Sequence, residues 1–168
     1  TQFSISSCMI ESIEFEDNSI LYSIGEDSFS SSRYLKTISI PSSVEIIGDS
    51  AFLNCKNLSK VIFEPNSKLK IIKSYAFFNT SISEIILPSN VSKIERCVFQ
   101  LCGNLASIEF SGNSILTEIE EEVFCHTLIS HIKIPSSVKA IRRRAFANCK
   151  SISTIEIAED SGLRIIEE

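Results

Sequence analysis

The sequence predicts a β-rich repeat solenoid of about seven coils. Three observations predict it: a block that returns every 47 residues, an aromatic residue that closes each coil in register, and an alternating apolar–polar stretch at each coil's start. Repeats of this length mark solenoids, in which one unit cannot bury its own apolar side chains and stacked units bury them jointly.

The block beginning at Leu35, LKTISIPSSVEIIGDSAF, returns at Ile82 as ISEIILPSNVSKIERCVF and at Ile129 as ISHIKIPSSVKAIRRRAF. A second kind of unit lies between these copies. It begins at Ile10, Leu58, Leu105 and Ile152, with a longer polar turn in place of the Pro-Ser-Ser-Val segment. The coil-closing aromatics are Phe29, Phe52, Phe77, Phe99, Phe124 and Phe146, with gaps of 23, 25, 22, 25 and 22 residues. Cys8, Cys55, Cys102 and Cys149 keep a spacing of 47. Residues 1–168 therefore read as one solenoid with coils of 22–25 residues, cut in mid-repeat at both ends, and are expected to be a piece of a longer array whose bare ends could associate end to end.

Each unit opens with L-x-x-I-x-I, the two-residue period of a half-buried, β-branched strand. Pro41 and Pro135 remove a ladder donor and end their strands. The return segment V-x-x-I-x-x-x-x-F is too short for a helix, so a short second strand, an extended piece or a 3₁₀ turn is expected there. In one unit the core column runs through Leu58, Val61, Phe63, Leu69, Ile72 and Phe77. Adjacent strands about 4.8 Å apart would make one seven-stranded parallel sheet about 30 Å long.

The unit LxxIxIPssVxxIxxxAFxxC, present in seven copies of which two are partial, resembles the BspA-like class of leucine-rich repeats. The alternation of a Pro unit with a longer unit is also similar to large surface-protein families of parasitic flagellates. The resemblance implies a right-handed coil with its parallel sheet on a concave face. It also implies display on the cell surface or secretion, and adhesion to a host or extracellular-matrix protein. An intracellular scaffold in the cytoplasm is the alternative. Six cysteines with no obvious pairing lean toward a reducing compartment.

The charge narrows the partners. The net charge of −5 is spread along the chain with no basic stripe, which disfavours nucleic acid. No apolar run approaches the roughly 18–20 residues that span a membrane. The chain opens at Thr1 without an initiator Met or a leader, and a leader or anchor could lie outside it. A protein ligand is the expected partner, with no cofactor and no metal.

No residues form a catalytic constellation. His126 and His131 have no Ser, Cys or Asp at a suggestive spacing, and the five glycines are isolated, so the reading is a binding module and not an enzyme. The repeated cysteines read as small core spacers. Cys97 and Cys125 break the column. A disulfide between Cys102 and Cys125 stays open, whereas zinc held by Cys97, Cys102, Cys125 and His126 fits no common spacing. Asn57, Asn79 and Asn90 open N-x-S sequons, a number that composition alone explains.

Two surfaces draw the remaining interest. Glu120, Glu121 and Glu122 precede Phe124 at the places where Arg142, Arg143 and Arg144 precede Phe146, and Glu167 and Glu168 follow on the next coil. Ion pairs between these rungs are expected. The outward strand positions include Lys60, Ile62, Glu84, Ile86, Glu109, His131 and Lys133. Among them Ile62 and Ile86 form an exposed apolar pair bordered by Lys60 and Glu84, the kind of spot where a partner docks.

Overall fold

The computed structural model describes residues 9–16 and 18–168, so Cys8 lies outside the described residues. Every coil carries two strands. The opening strands are β1 (Ser12–Ile13), β3 (Thr37–Ile40), β5 (Lys60–Phe63), β7 (Glu84–Leu87), β9 (Ser107–Phe110), β11 (His131–Ile134) and β13 (Thr154–Ile157). The return strands are β2 (Ser23–Ile24), β4 (Ile46–Ile47), β6 (Ile71–Ile72), β8 (Lys93–Ile94), β10 (Glu118–Ile119), β12 (Ala140–Ile141) and β14 (Ile165–Ile166). All pairing is parallel, coil to coil, and the described residues contain no helix. The fold is thus a β-solenoid of about seven turns, and short strands, not 3₁₀ turns, form its second face.

Local sequence explains each corner. Alternate residues of β7 and β11 are buried, so their Ile and Leu side chains enter the core while Glu84, Ile86, His131 and Lys133 point out. Pro41, Pro88 and Pro135 stop the strand, and their carbonyls accept the amides of Val44, Val91 and Val138 at 3.0, 3.1 and 3.0 Å. This i-to-i+3 closure turns the chain and drops each valine into the core.

The opening strands do not form the single seven-stranded sheet expected. They divide into β1-β3-β5, β7-β9 and β11-β13. The breaks have a cause in chain length. Paired strands keep one offset from entry into the ladder, 23 residues for β3 and β5, Thr37 against Lys60, and 25 for β1 and β3, Ser12 against Thr37, whereas β5 and β7, and likewise β9 and β11, start 24 apart. The backbone enters these two junctions with a 23-residue offset, Ser81 N to Leu58 O at 3.0 Å and Leu128 N to Leu105 O at 2.9 Å. The extra residue then throws the strands out of ladder register.

A third ladder, invisible in the motif, holds the coils across those breaks. In each turn around the closing Phe, the residues two before and two after it have positive φ: Tyr75 and Asn79 around Phe77, Cys97 and Leu101 around Phe99, Glu122 and His126 around Phe124. Left-handed backbone is unfavourable for L-residues by about 1–2 kcal/mol. Here it aims three amides of five residues along the stack. At the β5–β7 junction these are Tyr75 N to Arg96 O at 3.2 Å, Phe77 N to Val98 O at 3.1 Å and Asn79 N to Gln100 O at 2.9 Å. At the β9–β11 junction Glu122, Phe124 and His126 do the same. Each bond contributes about 1 kcal/mol, which offsets the strained backbone.

Asparagine adopts that backbone with the least strain. Asn54 and Asn79 also bond to each other at 2.7 Å, and Asn148 meets His126 at 3.1 Å. Leu101, at φ 61° and 40% exposed, interrupts this column. Leu101→Asn is expected to stabilise the fold by about 0.5–1 kcal/mol. A denaturant midpoint that stays put or falls would refute the account of the turn.

Beneath the turns the closing aromatics form one stack. Phe29, Phe52, Phe77, Phe99, Phe124 and Phe146 follow each other at centroid distances of 5.1, 5.2, 5.6, 5.8 and 5.4 Å, the first five nearly parallel. Phe52, Phe77, Phe99 and Phe124 are fully buried, and Phe146 is half-buried.

Candidate functional site

Beside that stack runs a buried polar column. Cys55, Cys102 and Cys149 stand three residues after their Phe, and Ser32, Thr80 and Thr127 fill the same place on the intervening coils. The thiols of Cys55, Cys102 and Cys149 donate to the carbonyls of Phe29, Phe77 and Phe124 on the preceding coil at 2.9, 3.1 and 3.0 Å. Thr80 meets Cys102, and Thr127 meets Cys149, each at 3.2 Å. The cysteines are therefore hydrogen-bonded members of the core, not mere spacers. Burial pushes the Cys55 and Cys102 thiols up to about 11.

The five described cysteines are free, so Cys102 and Cys125 form no disulfide. The described residues hold no cluster of three His, Cys, Asp or Glu side chains placed for a metal. Cys97 and Cys125 are buried too, and burial raises both thiols, which makes them poor nucleophiles.

Threonine and valine have nearly the same shape, so they separate the hydrogen bond from the packing. Cys102→Val leaves the Phe77 carbonyl without its donor and is expected to cost about 1–3 kcal/mol. Cys102→Thr, the residue already present at positions 80 and 127, is expected to cost about 1 kcal/mol less than the valine. Equal melting temperatures for the two variants would return the column to simple packing.

The charged rungs pair differently from expectation. Arg142 grips Glu118 with two nitrogens, at 2.9 and 3.1 Å, and Glu167 with a third at 2.9 Å. Arg144 reaches Glu122 at 3.6 Å. Arg143, Glu120 and Glu121 form no ion pair among the described residues; Arg143 contributes only its amide, to Glu167. Two residues on a strand return to the same face, so Arg142 has Glu118 as well as Glu120 within its column, and its planar fork settles on Glu118. Arg142 and the Arg143 amide together hold the Glu167 carboxyl below its usual range.

The outward face of the opening strands carries charged and apolar groups open to solvent. Lys60, Ile62, Glu84, Ile86, Ser107 and Glu109 line a shallow groove of about 650 Å³ across β5, β7 and β9. Ile62 is 44% and Ile86 59% exposed, so both present apolar surface to solvent. Glu109, His131, Lys133 and Asp160 line a second groove of about 710 Å³ that continues past β11. Ser107 and Glu109 belong to both, which makes the two grooves one trough. Each half lies over one of the ladder breaks, β5–β7 and β9–β11.

His131 approaches Glu156 at 3.5 Å. Lys60, Glu84, Glu109 and Lys133 form no ion pair among the described residues. All seven strand-face residues singled out from the sequence line this trough. The breaks beneath it had no signal in the motif except the 24-residue strand spacing.

A stack of parallel-stranded coils with an open strand face and a repeated L-x-x-I-x-I unit defines a leucine-rich-repeat solenoid. The model of the BspA-type leucine-rich repeat region matches residues 1–115 in six copies, and the chain belongs to that family. Repeats of this kind generally serve as protein-interaction modules.

Among solved structures, the chain resembles the pneumococcal vaccine antigen PcpA, at 25% identity and a TM-score of 0.72, over 89% of this chain and 35% of that one. It resembles a leucine-rich cell surface protein of Faecalibacterium prausnitzii, at 27% identity and a TM-score of 0.62, over 89% of this chain and 47% of that one. A leucine-rich repeat protein of Bacteroides ovatus shares the fold, at 24% identity and a TM-score of 0.67, over 93% of this chain and 46% of that one. The chain thus spans less than half the length of these proteins. No curated protein matches it. Among the described residues no helix is long and apolar enough to cross a membrane.

Proposed function

We propose that this chain is the binding portion of a cell-surface, adhesin-like protein, and that its opening-strand face docks a host or extracellular-matrix protein. The observation that carries this reading is the trough. There Lys60, Glu84 and Glu109, which form no ion pair among the described residues, line the same groove as the exposed apolar side chains Ile62 and Ile86, and Lys133 lies farther along the trough. Other apolar side chains are exposed as well, Ile20 and Ile115 among them, but Ile62 and Ile86 are the exposed aliphatic ones that line this groove beside free charges, which suits them to a partner. The surface placement is supported by likeness to a vaccine antigen and a cell surface protein.

Free thiols favour a second reading, an intracellular scaffold, because exported proteins usually pair their cysteines. Burial answers this in part, since thiols with raised pKa values resist oxidation. Antibody to the chain, applied to intact source cells before and after external protease, decides between the two. A protease-sensitive surface signal is expected; signal that requires permeabilised cells would establish the scaffold.

A further inference from the structure

Resting on that reading of the strand face, we propose that the first half of the trough selects an extended protein segment in which aliphatic and basic side chains alternate. Ile62 and Ile86 supply the apolar contact. Three carboxylates, Glu64, Glu84 and Glu109, and a single ammonium, Lys60, surround it. Glu64 is already committed, since it accepts the Ser42 amide at 2.8 Å. Glu84 and Glu109 are not: Glu109 continues the apolar pair's column on β9 as the register partner of Ile86, and Glu84 stands two residues before Ile86 on the same face of β7.

The dimensions suit a short strand-like segment. From β5 to β9 is two coil steps, about 10 Å, which three to four extended residues cover. Successive side chains of such a segment point to opposite sides, so an aliphatic side chain reaching the Ile62–Ile86 pair has neighbours that start away from the floor, and only the long stem of a lysine or arginine bends back to the carboxylates. Docking removes water from Glu84 and Glu109. A lysine or arginine restores the lost interaction, whereas an acidic segment leaves two carboxylates facing like charge. The same carboxylates exclude phosphate-bearing ligands, nucleic acid and anionic lipid included.

The probes are two dye-labelled ten-residue peptides, one alternating Leu and Lys and one alternating Leu and Glu. Their fluorescence anisotropy is read against the whole 168-residue chain. The Leu-Lys peptide is expected to bind, and binding should weaken at least tenfold in Glu84→Lys with Glu109→Lys and in Ile62→Asp with Ile86→Asp. Glu16→Lys with Glu26→Lys makes the same change of net charge outside the trough and should leave binding within twofold. All the substituted side chains are exposed, and a melt of each variant verifies its fold.

Failure of the Leu-Lys peptide to bind overturns the inference, as does equal loss in the Glu16→Lys, Glu26→Lys control. A Leu-Glu peptide that binds as well as Leu-Lys, and is lost in Ile62→Asp with Ile86→Asp, removes the cationic preference while the docking face stands. Leu-Lys binding indifferent to every trough variant removes the docking face itself.

Discussion

Replacing Phe77 by alanine is expected to destabilise the chain by about 3–5 kcal/mol, through lost transfer energy and the cavity left behind. For a protein of this size the melting temperature should fall by roughly 6–20 °C. Phe77 is fully buried and stacked on both sides, on Phe52 at 5.2 Å and on Phe99 at 5.6 Å, each within 3° of parallel. Its position raises the stakes further. The opening strands break between β5 and β7, so coil-to-coil cohesion at that junction leans on the β6–β8 return strands, the turn ladder and the rings beneath it. Stacked repeats behave as nearest-neighbour systems, so a weakened junction uncouples the two sides. The melt should therefore broaden or split as well as shift. Phe146→Ala should cost less, because Phe146 is only half-buried. A Phe77→Ala protein that melts like its parent, or loses no more than Phe146→Ala, would overturn the role given to the stack.

Some of this was legible because repetition writes a buried column into the sequence many times. Phe77 recurs at the same place in every coil, and its neighbours above and below are known once the period is known. The alternation of β5, β7 and β9 could likewise be read residue by residue, and it assigned Ile62, Ile86 and Glu109 to the outer face where the trough lies. Three things were hidden, each for a physical reason. Thr80 and Thr127 share the Cys102 column, but a thiol and a hydroxyl look unrelated until Thr127 and Cys149 are seen to donate to one acceptor, the Phe124 carbonyl, and Thr80 to meet Cys102. Arg142 chose Glu118, because an arginine's reach covers two places on one strand face and spacing cannot choose between them. The ladder breaks came from a single extra residue per superrepeat, a difference of 24 against 23 that burial patterns absorb and hydrogen-bond register does not.

The thiol column makes the protein's stability fall steeply in alkali, and the sign can be worked out from the burial. Cys55 and Cys102 are wholly inaccessible to solvent, and burial raises each thiol from 9.0 to about 11. Below about pH 9 folded and unfolded chains both keep these protons, so stability does not depend on them. Between about 9 and 11 the unfolded chain gives up protons that the folded chain retains. The folded state then binds more protons, and its stability declines as pH rises. Above about 11 both forms are ionised and the loss is complete, roughly 2–3 kcal/mol for each thiol. Denaturant unfolding at pH 8, 9, 10 and 11 should show that decline, and Cys55→Ser with Cys102→Ser should flatten most of it. Lys70 and Arg142 supply a built-in comparison. The hydrogen bond that Lys70 donates to Glu45 raises the pKa of Lys70, and those Arg142 donates to Glu167 and Glu118 raise that of Arg142, so their surface pairs persist through much of the same range. A double variant that declines in parallel with its parent would place the alkaline sensitivity on the surface, and the buried thiols would then be bystanders in the core.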